Sequence, residues 1–89
     1  MELIVKGTFF RDINSISNLD LLSAIAEKVK EIEAAHASKQ IVDLKKLRKY
    51  KFHFRIKIAD VYRIGAMIRG NKIWFIRFGH RSNFYKKFP

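Results

Sequence analysis

The spacing of apolar residues separates a predicted helix from a group of predicted strands. Between about residues 20 and 37, apolar side chains recur every three or four positions, which predicts a helix. Asp20 suits the positive end of its dipole. One side of this helix must pack on another element, because an apolar stripe is stable only when it is covered. The residues expected on that side are Leu22, Ile25, Val29, Ile32 and His36.

After Tyr50 the apolar period changes from helical spacing to two. Residues 52–58 and 62–68 each alternate apolar with polar side chains, which predicts two half-buried strands. Gly70-Asn71 predicts a two-residue hairpin turn with a positive φ at the glycine. Residues 72–78 are apolar on both faces, which suits an interior strand. These three segments predict an antiparallel meander.

The first half of the chain supplies the remaining elements. Leu3–Val5 and Thr8–Phe10 predict a first extended segment interrupted by Gly7, and residues 14–18 are turn-forming with several potential helix caps. The expected fold is α+β: an N-terminal strand and one or two helices packed on a small antiparallel sheet with a C-terminal three-stranded meander. The 89 residues fit a single domain, 1–89. A second short helical turn is suggested by Ile41, Leu44 and Leu47.

Charge is segregated along the chain. Residues 1–44 carry five Lys/Arg and seven Asp/Glu, a net of −2, whereas residues 45–89 carry fourteen and one, a net of +13; together they give +11. Such asymmetry favours a polyanionic partner for the second half, with nucleic acid as the first candidate. An overcharged soluble surface would explain a large net charge but not its segregation.

The composition limits the cellular compartment and the kinds of binding partner that are expected for this protein. The chain has no cysteine, so neither a disulfide framework nor a thiolate metal site is expected. No apolar run reaches the roughly 20 residues of a membrane span, and the N-terminus lacks the pattern of a signal peptide. We therefore expect a cytoplasmic protein with no membrane partner.

The alternation after Tyr50 sets the direction of three basic side chains. Arg55 and Lys57 must point away from the core that their apolar neighbours fill, and Arg63 on the next strand is expected to join them. Like charges on neighbouring strands destabilise a sheet, so three without acidic partners need a reason. One possible reason is that the three side chains form a cationic face that binds an RNA backbone. The alternative is a strand face that is simply exposed to solvent.

The sequence lacks several familiar catalytic patterns. It has no glycine-rich phosphate loop, no zinc-binding helix motif and no nucleophile elbow, and its three histidines are far apart. Neither a metal nor a cofactor is expected, so RNA cleavage would use the 2′-hydroxyl as nucleophile. His80 suits proton transfer at neutral pH, Arg81 suits charge stabilisation, and Tyr85 suits base stacking or proton donation.

The second half of the chain resembles the RelE/ParE family of toxins. The likeness rests on the basic strand and Tyr-Arg pair within Phe54–Gly65, on the hairpin and terminal His-Arg within Gly70–Arg81, and on Tyr85 four residues later. The segments 9–13 and 44–47 are similar to earlier parts of the family pattern. Ala59 departs from it, because many relatives have glycine in that turn.

The resemblance implies a toxin that cleaves messenger RNA on the ribosome, represses translation and is neutralised by an antitoxin. Some members of the family instead inhibit DNA gyrase without nuclease activity, and a non-catalytic basic RNA-binding module is a third hypothesis. The residues expected to be catalytic are Arg63, His80, Arg81 and Tyr85. Those expected to bind RNA, messenger or ribosomal, are Arg55, Lys57, Lys45, Lys46, Arg48 and Lys49.

Overall fold

A mixed five-stranded sheet organises the chain, and the computed structural model describes all of residues 1–89. The strand order is β1-β5-β4-β3-β2, with β1 parallel to β5 and the other neighbours antiparallel. The predicted α+β fold and C-terminal meander are confirmed, although the first strand joins the sheet in parallel. The strands are β1 (Glu2–Val5), β2 (Leu44–Lys46), β3 (His53–Ile58), β4 (Tyr62–Arg69) and β5 (Lys72–His80), and the helices are α1 (Gly7–Ile13), α2 (Leu19–Ala34) and α3 (Arg81–Lys87).

The hydrophobic core lies between one face of the sheet and the helices α1 and α2. Phe9 of α1 contacts Phe75 and Phe78 of β5, with ring centroids 5.1 and 6.1 Å apart. The interior position of β5 agrees with its apolar pattern on both faces. Gly70 has a φ of 58°, as predicted for the hairpin turn. The sheet residues that are most deeply buried in this core are Ile56, Ile64, Ala66, Ile73 and Phe75.

Helix α2 begins at the predicted place but buries a slightly different stripe. The Asn18 side chain accepts a hydrogen bond from the Leu21 backbone N–H at 3.1 Å, which caps the first turn. The helix ends at Ala34, three residues before the expected end, so His36 lies beyond it and is exposed. Leu22 and Val29 are only half-buried. The buried positions are Leu21, Ile25, Lys28, Ile32 and Ala35.

Lys28 accounts for part of this shift. Its side chain is buried, and its ammonium donates to the Glu31 carboxylate at 2.8 Å and to the Val42 carbonyl at 2.9 Å. The second oxygen of Glu31 accepts from the Val42 backbone N–H at 2.6 Å. Burial raises the pKa of Glu31, but these two hydrogen bonds and the Lys28 charge outweigh it, so the pKa is lowered. This ion pair therefore ties α2 to the segment that leads into β2.

Two local predictions in the first half are wrong. Thr8–Phe10 is helical rather than extended, because α1 makes long-range contacts that override local strand preference: Phe9 fills the core and the Thr8 hydroxyl donates to the Ile76 carbonyl. Leu44 does not belong to a helical turn. It begins the edge strand β2, where it pairs with Ile56 of β3, and only the short 3-10 turn Ser38–Gln40 precedes it.

The outer face of the sheet is partly covered by α3, a helix that is not among the predicted elements. Phe84 and Phe88 are buried beneath and just after it. The glycines at 65 and 79 leave room for this packing, since a Cβ at Gly65 would lie 2.6 Å from the Phe88 ring and one at Gly79 2.9 Å from the Lys87 side chain. The docked helix fixes the position of Tyr85.

The turn between β3 and β4 contains an alanine in an unfavourable backbone conformation, which leads to a prediction about stability. Ala59 has a φ of 48°, a left-handed conformation that is unfavourable for a side chain with a Cβ. Ala59→Gly is therefore expected to raise the free energy of unfolding by about 0.5–1 kcal/mol, after the entropy of the glycine is subtracted. Urea denaturation measures this change. Ala37→Gly is the control, because Ala37 has a φ of −152° and should gain nothing.

Candidate functional site

The strand register brings the basic side chains onto the outer face of the sheet. Residues that pair directly across neighbouring strands share a face. Lys45 pairs with Arg55, Arg55 with Gly65, and Lys57 with Arg63. Their apolar neighbours on β3, such as Ile56, lie in the core on the opposite face. The predicted cationic sheet face is therefore present, and β2 extends it with Lys45.

A cleft of about 360 Å³ opens on this face beside α3. Five of its seven lining side chains are cationic, and none is acidic. A concave site lined by one sign of charge raises the local concentration of ligands of the opposite sign. The lining residues are Lys45, Lys46, Leu47, Arg48, Arg55, Arg63 and Tyr85.

Backbone carbonyls hold the two arginines of the cleft. The Arg55 guanidinium donates to the Asp43 carbonyl at 2.9 Å, and that of Arg63 donates to the carbonyls of Asp60 and Tyr62 at 2.7 and 2.9 Å. A carbonyl orients a guanidinium without neutralising its charge. Both arginines are thus held in position and can still pair with an anion. An arginine binds a phosphate most strongly when its guanidinium donates two parallel hydrogen bonds to it.

Tyr85 brings an aromatic hydroxyl to the cleft. Its side chain is 55% exposed, and its ring meets that of the buried Phe84 edge to face at 5.0 Å. Arg81 lies four residues earlier in α3, which places it on the same side of the helix as Tyr85. The structure thus groups Arg55, Arg63 and Tyr85 in one cleft, with Arg81 one helical turn away.

His80 lies at the start of α3 and does not line the cleft. Its Nδ1 accepts from the Ser82 backbone N–H at 3.1 Å and lies 2.9 Å from the Ser82 hydroxyl, so it caps the helix. Lys57 shares the outer face but lies outside the lining, as does Lys49 in the β2–β3 turn. The catalytic and RNA-binding roles of all these residues stay predictions.

An acidic residue that the sequence analysis did not single out ties α3 to the rest of the fold. Asp12 of α1 accepts from Arg77 Nε and from the Phe78 backbone N–H, each at 2.8 Å, and its other oxygen lies 3.6 Å from Lys87 Nζ of α3. Burial raises the pKa of Asp12, but the bonds from Arg77 and Phe78 and the charges of Lys87 and Arg77 outweigh it, so the pKa is lowered. No pattern within a single element reveals a contact between residues 65 positions apart.

Two further features of the structure bear on ligands and membranes. It contains no cluster of three or more histidine, cysteine, aspartate or glutamate side chains with the geometry of a metal site. None of the three α-helices combines the length and the hydropathy that crossing a bilayer requires.

Structural comparison relates the fold to a toxin–antitoxin complex. No protein-family model matches the sequence, and no curated protein matches it significantly. The chain is similar to one in the crystal structure of the RelB-RelE antitoxin-toxin complex from Methanococcus jannaschii, with 27% identity, a TM-score of 0.79, and coverage of 97% of this chain and 99% of that one. It also shares the fold of the conserved hypothetical protein HP0894 from Helicobacter pylori, with 16% identity, a TM-score of 0.58, and coverage of 92% and 96%. The chain therefore has a fold found in toxin–antitoxin complexes.

Proposed function

We propose that this chain is the toxin of a toxin–antitoxin pair and that it cleaves messenger RNA without a metal ion. The observation that carries the proposal is the cleft on the outer sheet face, which combines five cationic side chains with the exposed Tyr85 and has no carboxylate in its lining. The similarity of the whole chain to one in an antitoxin–toxin complex supports the toxin role. The resemblance of the sequence to RelE/ParE toxins is the reason for proposing that cleavage takes place on the ribosome.

The cations of the cleft fit a phosphodiester backbone. Arg55 and Arg63 are already oriented by carbonyls, so little side-chain freedom is lost when they pair with phosphate oxygens. Lys45, Lys46 and Arg48 extend the positive surface along β2 and the turn after it, where they would neutralise neighbouring phosphates. The substrate class is therefore a single RNA strand bound chiefly through its backbone.

The reaction proposed for the cleft is transesterification within the RNA. The 2′-oxygen attacks the adjacent phosphorus while the bond from phosphorus to the 5′-oxygen breaks, leaving a 2′,3′-cyclic phosphate and a 5′-hydroxyl. The 2′-hydroxyl gives its proton to a water molecule, and the 5′-oxygen receives one from the protein. In this proposal Arg63 stabilises the charge that develops on the phosphate, Arg81 assists from the neighbouring turn of α3, and Tyr85 stacks on a base and donates a proton to the leaving oxygen.

An antitoxin is the protein partner in this proposal. The second half of the chain carries a net charge of +13, so an acidic or amphipathic segment laid across the outer face would complement it and cover the cleft. Occupation of the cleft by such a segment would exclude RNA by direct competition.

The test measures cleavage by the purified full chain. Labelled messenger RNA is incubated free in EDTA and, separately, on programmed ribosomes in a magnesium buffer, each beside a matched RNA with 2′-O-methyl sugars. We expect cleavage of the first RNA only, with 5′-hydroxyl ends. Arg63→Ala and Tyr85→Phe should each lower the cleavage rate at least tenfold. Arg11→Ala is the matched control, because Arg11 is an exposed arginine on α1 and lies outside the cleft.

Induced expression in bacteria separates the other two hypotheses. Growth arrest with new messenger 5′ ends, lost in Arg63→Ala, supports the proposal. Arrest without such ends, together with inhibited DNA supercoiling, would replace it with gyrase inhibition. RNA binding with neither cleavage nor arrest would leave a non-catalytic binding module.

A further inference from the structure

Two exposed tyrosines lie at opposite ends of a continuous chain of aromatic contacts on the outer face. Tyr50 meets His53 at 5.4 Å between ring centroids, His53 meets Phe88 at 5.7 Å, Phe88 meets Phe84 at 5.4 Å, and Phe84 meets Tyr85 at 5.0 Å. Among the inner members Phe84 and Phe88 are buried and His53 is half-buried, whereas Tyr50 is 44% and Tyr85 55% exposed. Packing therefore fixes the two exposed rings relative to each other.

Tyr50 belongs to the same turn that forms one wall of the cleft. Its backbone N–H donates to the Leu47 carbonyl at 3.4 Å, and its carbonyl accepts from Lys46 Nζ at 2.7 Å. Leu47 and Lys46 both line the cleft. The turn between β2 and β3 thus carries both Tyr50 and lining residues of the cleft, and the hydrogen bonds of the Tyr50 backbone stabilise its conformation.

The surroundings of Tyr50 are cationic. No Asp or Glu occurs between residues 44 and 59. His53, on which Tyr50 packs, precedes Arg55 by two residues on the same face of β3, a separation of about 7 Å along a strand. An aromatic face beside a phosphate-binding arginine is the arrangement that proteins use to bind single-stranded nucleic acids.

We propose that Tyr50 is a second base-stacking platform, which binds an unpaired base of an RNA strand whose backbone lies in the cleft and of which another base stacks on Tyr85. The proposal rests on the proposed function, since it needs RNA in the cleft. Exposed apolar side chains are common on protein surfaces, and Phe10, Leu19 and Val42 are also exposed. Tyr50 differs from these three because its turn lines the cleft and its ring continues the contacts that lead to Tyr85.

The experiment measures binding of a fluorescein-labelled single-stranded RNA of eight nucleotides by anisotropy, with 2′-O-methyl sugars to prevent cleavage. Tyr50→Leu keeps an apolar side chain on His53 but removes the aromatic face, so we expect the affinity to fall about tenfold, within the range measured for loss of one stacked base. Tyr50→Trp should restore it. Phe10→Ala is the matched control and should bind like the wild type, because Phe10 is 57% exposed on α1, away from the cleft.

Abasic oligonucleotides give a readout that misfolding would not mimic. A series with one base removed at each position should contain one position, besides the one that Tyr85 contacts, where the wild type loses about tenfold and Tyr50→Leu loses nothing further. Equal binding by Tyr50→Leu and the wild type, or equal losses across the abasic series in both proteins, would refute the platform while leaving the cleft intact. Failure of the wild type to bind any of these oligonucleotides would instead overturn the proposed function.

Discussion

Gly65→Ala is expected to displace α3 and to lower the free energy of unfolding by about 2 kcal/mol. A Cβ on residue 65 would lie 2.6 Å from the nearest atom of the Phe88 ring. The ring has no nearby space into which it can move, because it is 3% exposed and packs against His53 and Phe84. Phe88 must therefore leave its site, and the end of α3 moves with it.

The same substitution should reduce RNA cleavage about a hundredfold, because Tyr85 lies on the displaced helix and small misplacements of a positioned group have effects of this size. Urea denaturation and the cleavage assay measure the two effects. Gly7→Ala is the control, since a Cβ there meets nothing within 4 Å. A double-mutant cycle assigns the cause: in a Phe88→Ala background, Gly65→Ala should have little further effect, and an undiminished effect would mean that the ring is not responsible.

Asp12→Ala should lower the free energy of unfolding by about 3 kcal/mol at neutral pH. The Asp12 side chain is only 13% exposed, and its removal leaves the Arg77 guanidinium and the Phe78 backbone N–H without their acceptor. It also removes the anion that faces Lys87 of α3. Asp12→Asn keeps the shape but not the charge, so its effect should be smaller.

Acid should reproduce part of this loss. The pKa of Asp12 is lower in the folded protein than its ordinary value of 3.8, and the pKa of Glu31 is lower than 4.5. The unfolded chain therefore takes up protons at a higher pH than the folded one. Both contributions are complete well above pH 4.5 and are lost progressively as the pH falls through the lower folded values.

Urea midpoints measured from pH 7 to pH 2.5 test this dependence. The wild type should lose stability below about pH 4.5, and Asp12→Ala should show a shallower loss. Glu27→Gln is the matched control, because the Glu27–Lys30 pair spans 3.6 Å with both side chains more than 70% exposed and should contribute little. A wild-type profile that Asp12→Ala follows in parallel would contradict the assignment.

The parts of the fold that depend on local periodicity were predictable. Alternation along β3 and β4 sets which side of the sheet each residue faces, so the grouping of Arg55 with Arg63 follows from the sequence once the turn between the strands is recognised. The helix α2 and its cap at Asn18 likewise depend on neighbours in sequence. Tyr85 was expected at the site only from family resemblance.

Contacts between distant segments account for what sequence reasoning missed. The charge of Lys28 predicts a solvated side chain, and its burial is favourable because Glu31 and the distant Val42 carbonyl both accept hydrogen bonds from it. Asp12 and Arg77 pair across 65 residues. The exposure of Tyr50 beside the cleft depends on how the β2–β3 turn folds back on His53.

The parallel pairing of β1 with β5 has a consequence for the order in which the molecule assembles during its own synthesis. Glu2–Val5 pairs with residues 72–75, so β1 has its partner some 70 residues later in the chain. Contacts of such large sequence separation form slowly, because a long loop must close before they stabilise the chain. The cationic residues that line the cleft lie between Lys45 and Arg63, so they are translated before both β5, the partner of β1, and α3, which carries Tyr85. The sheet and the cleft are therefore complete only after residues 72–87 have been made.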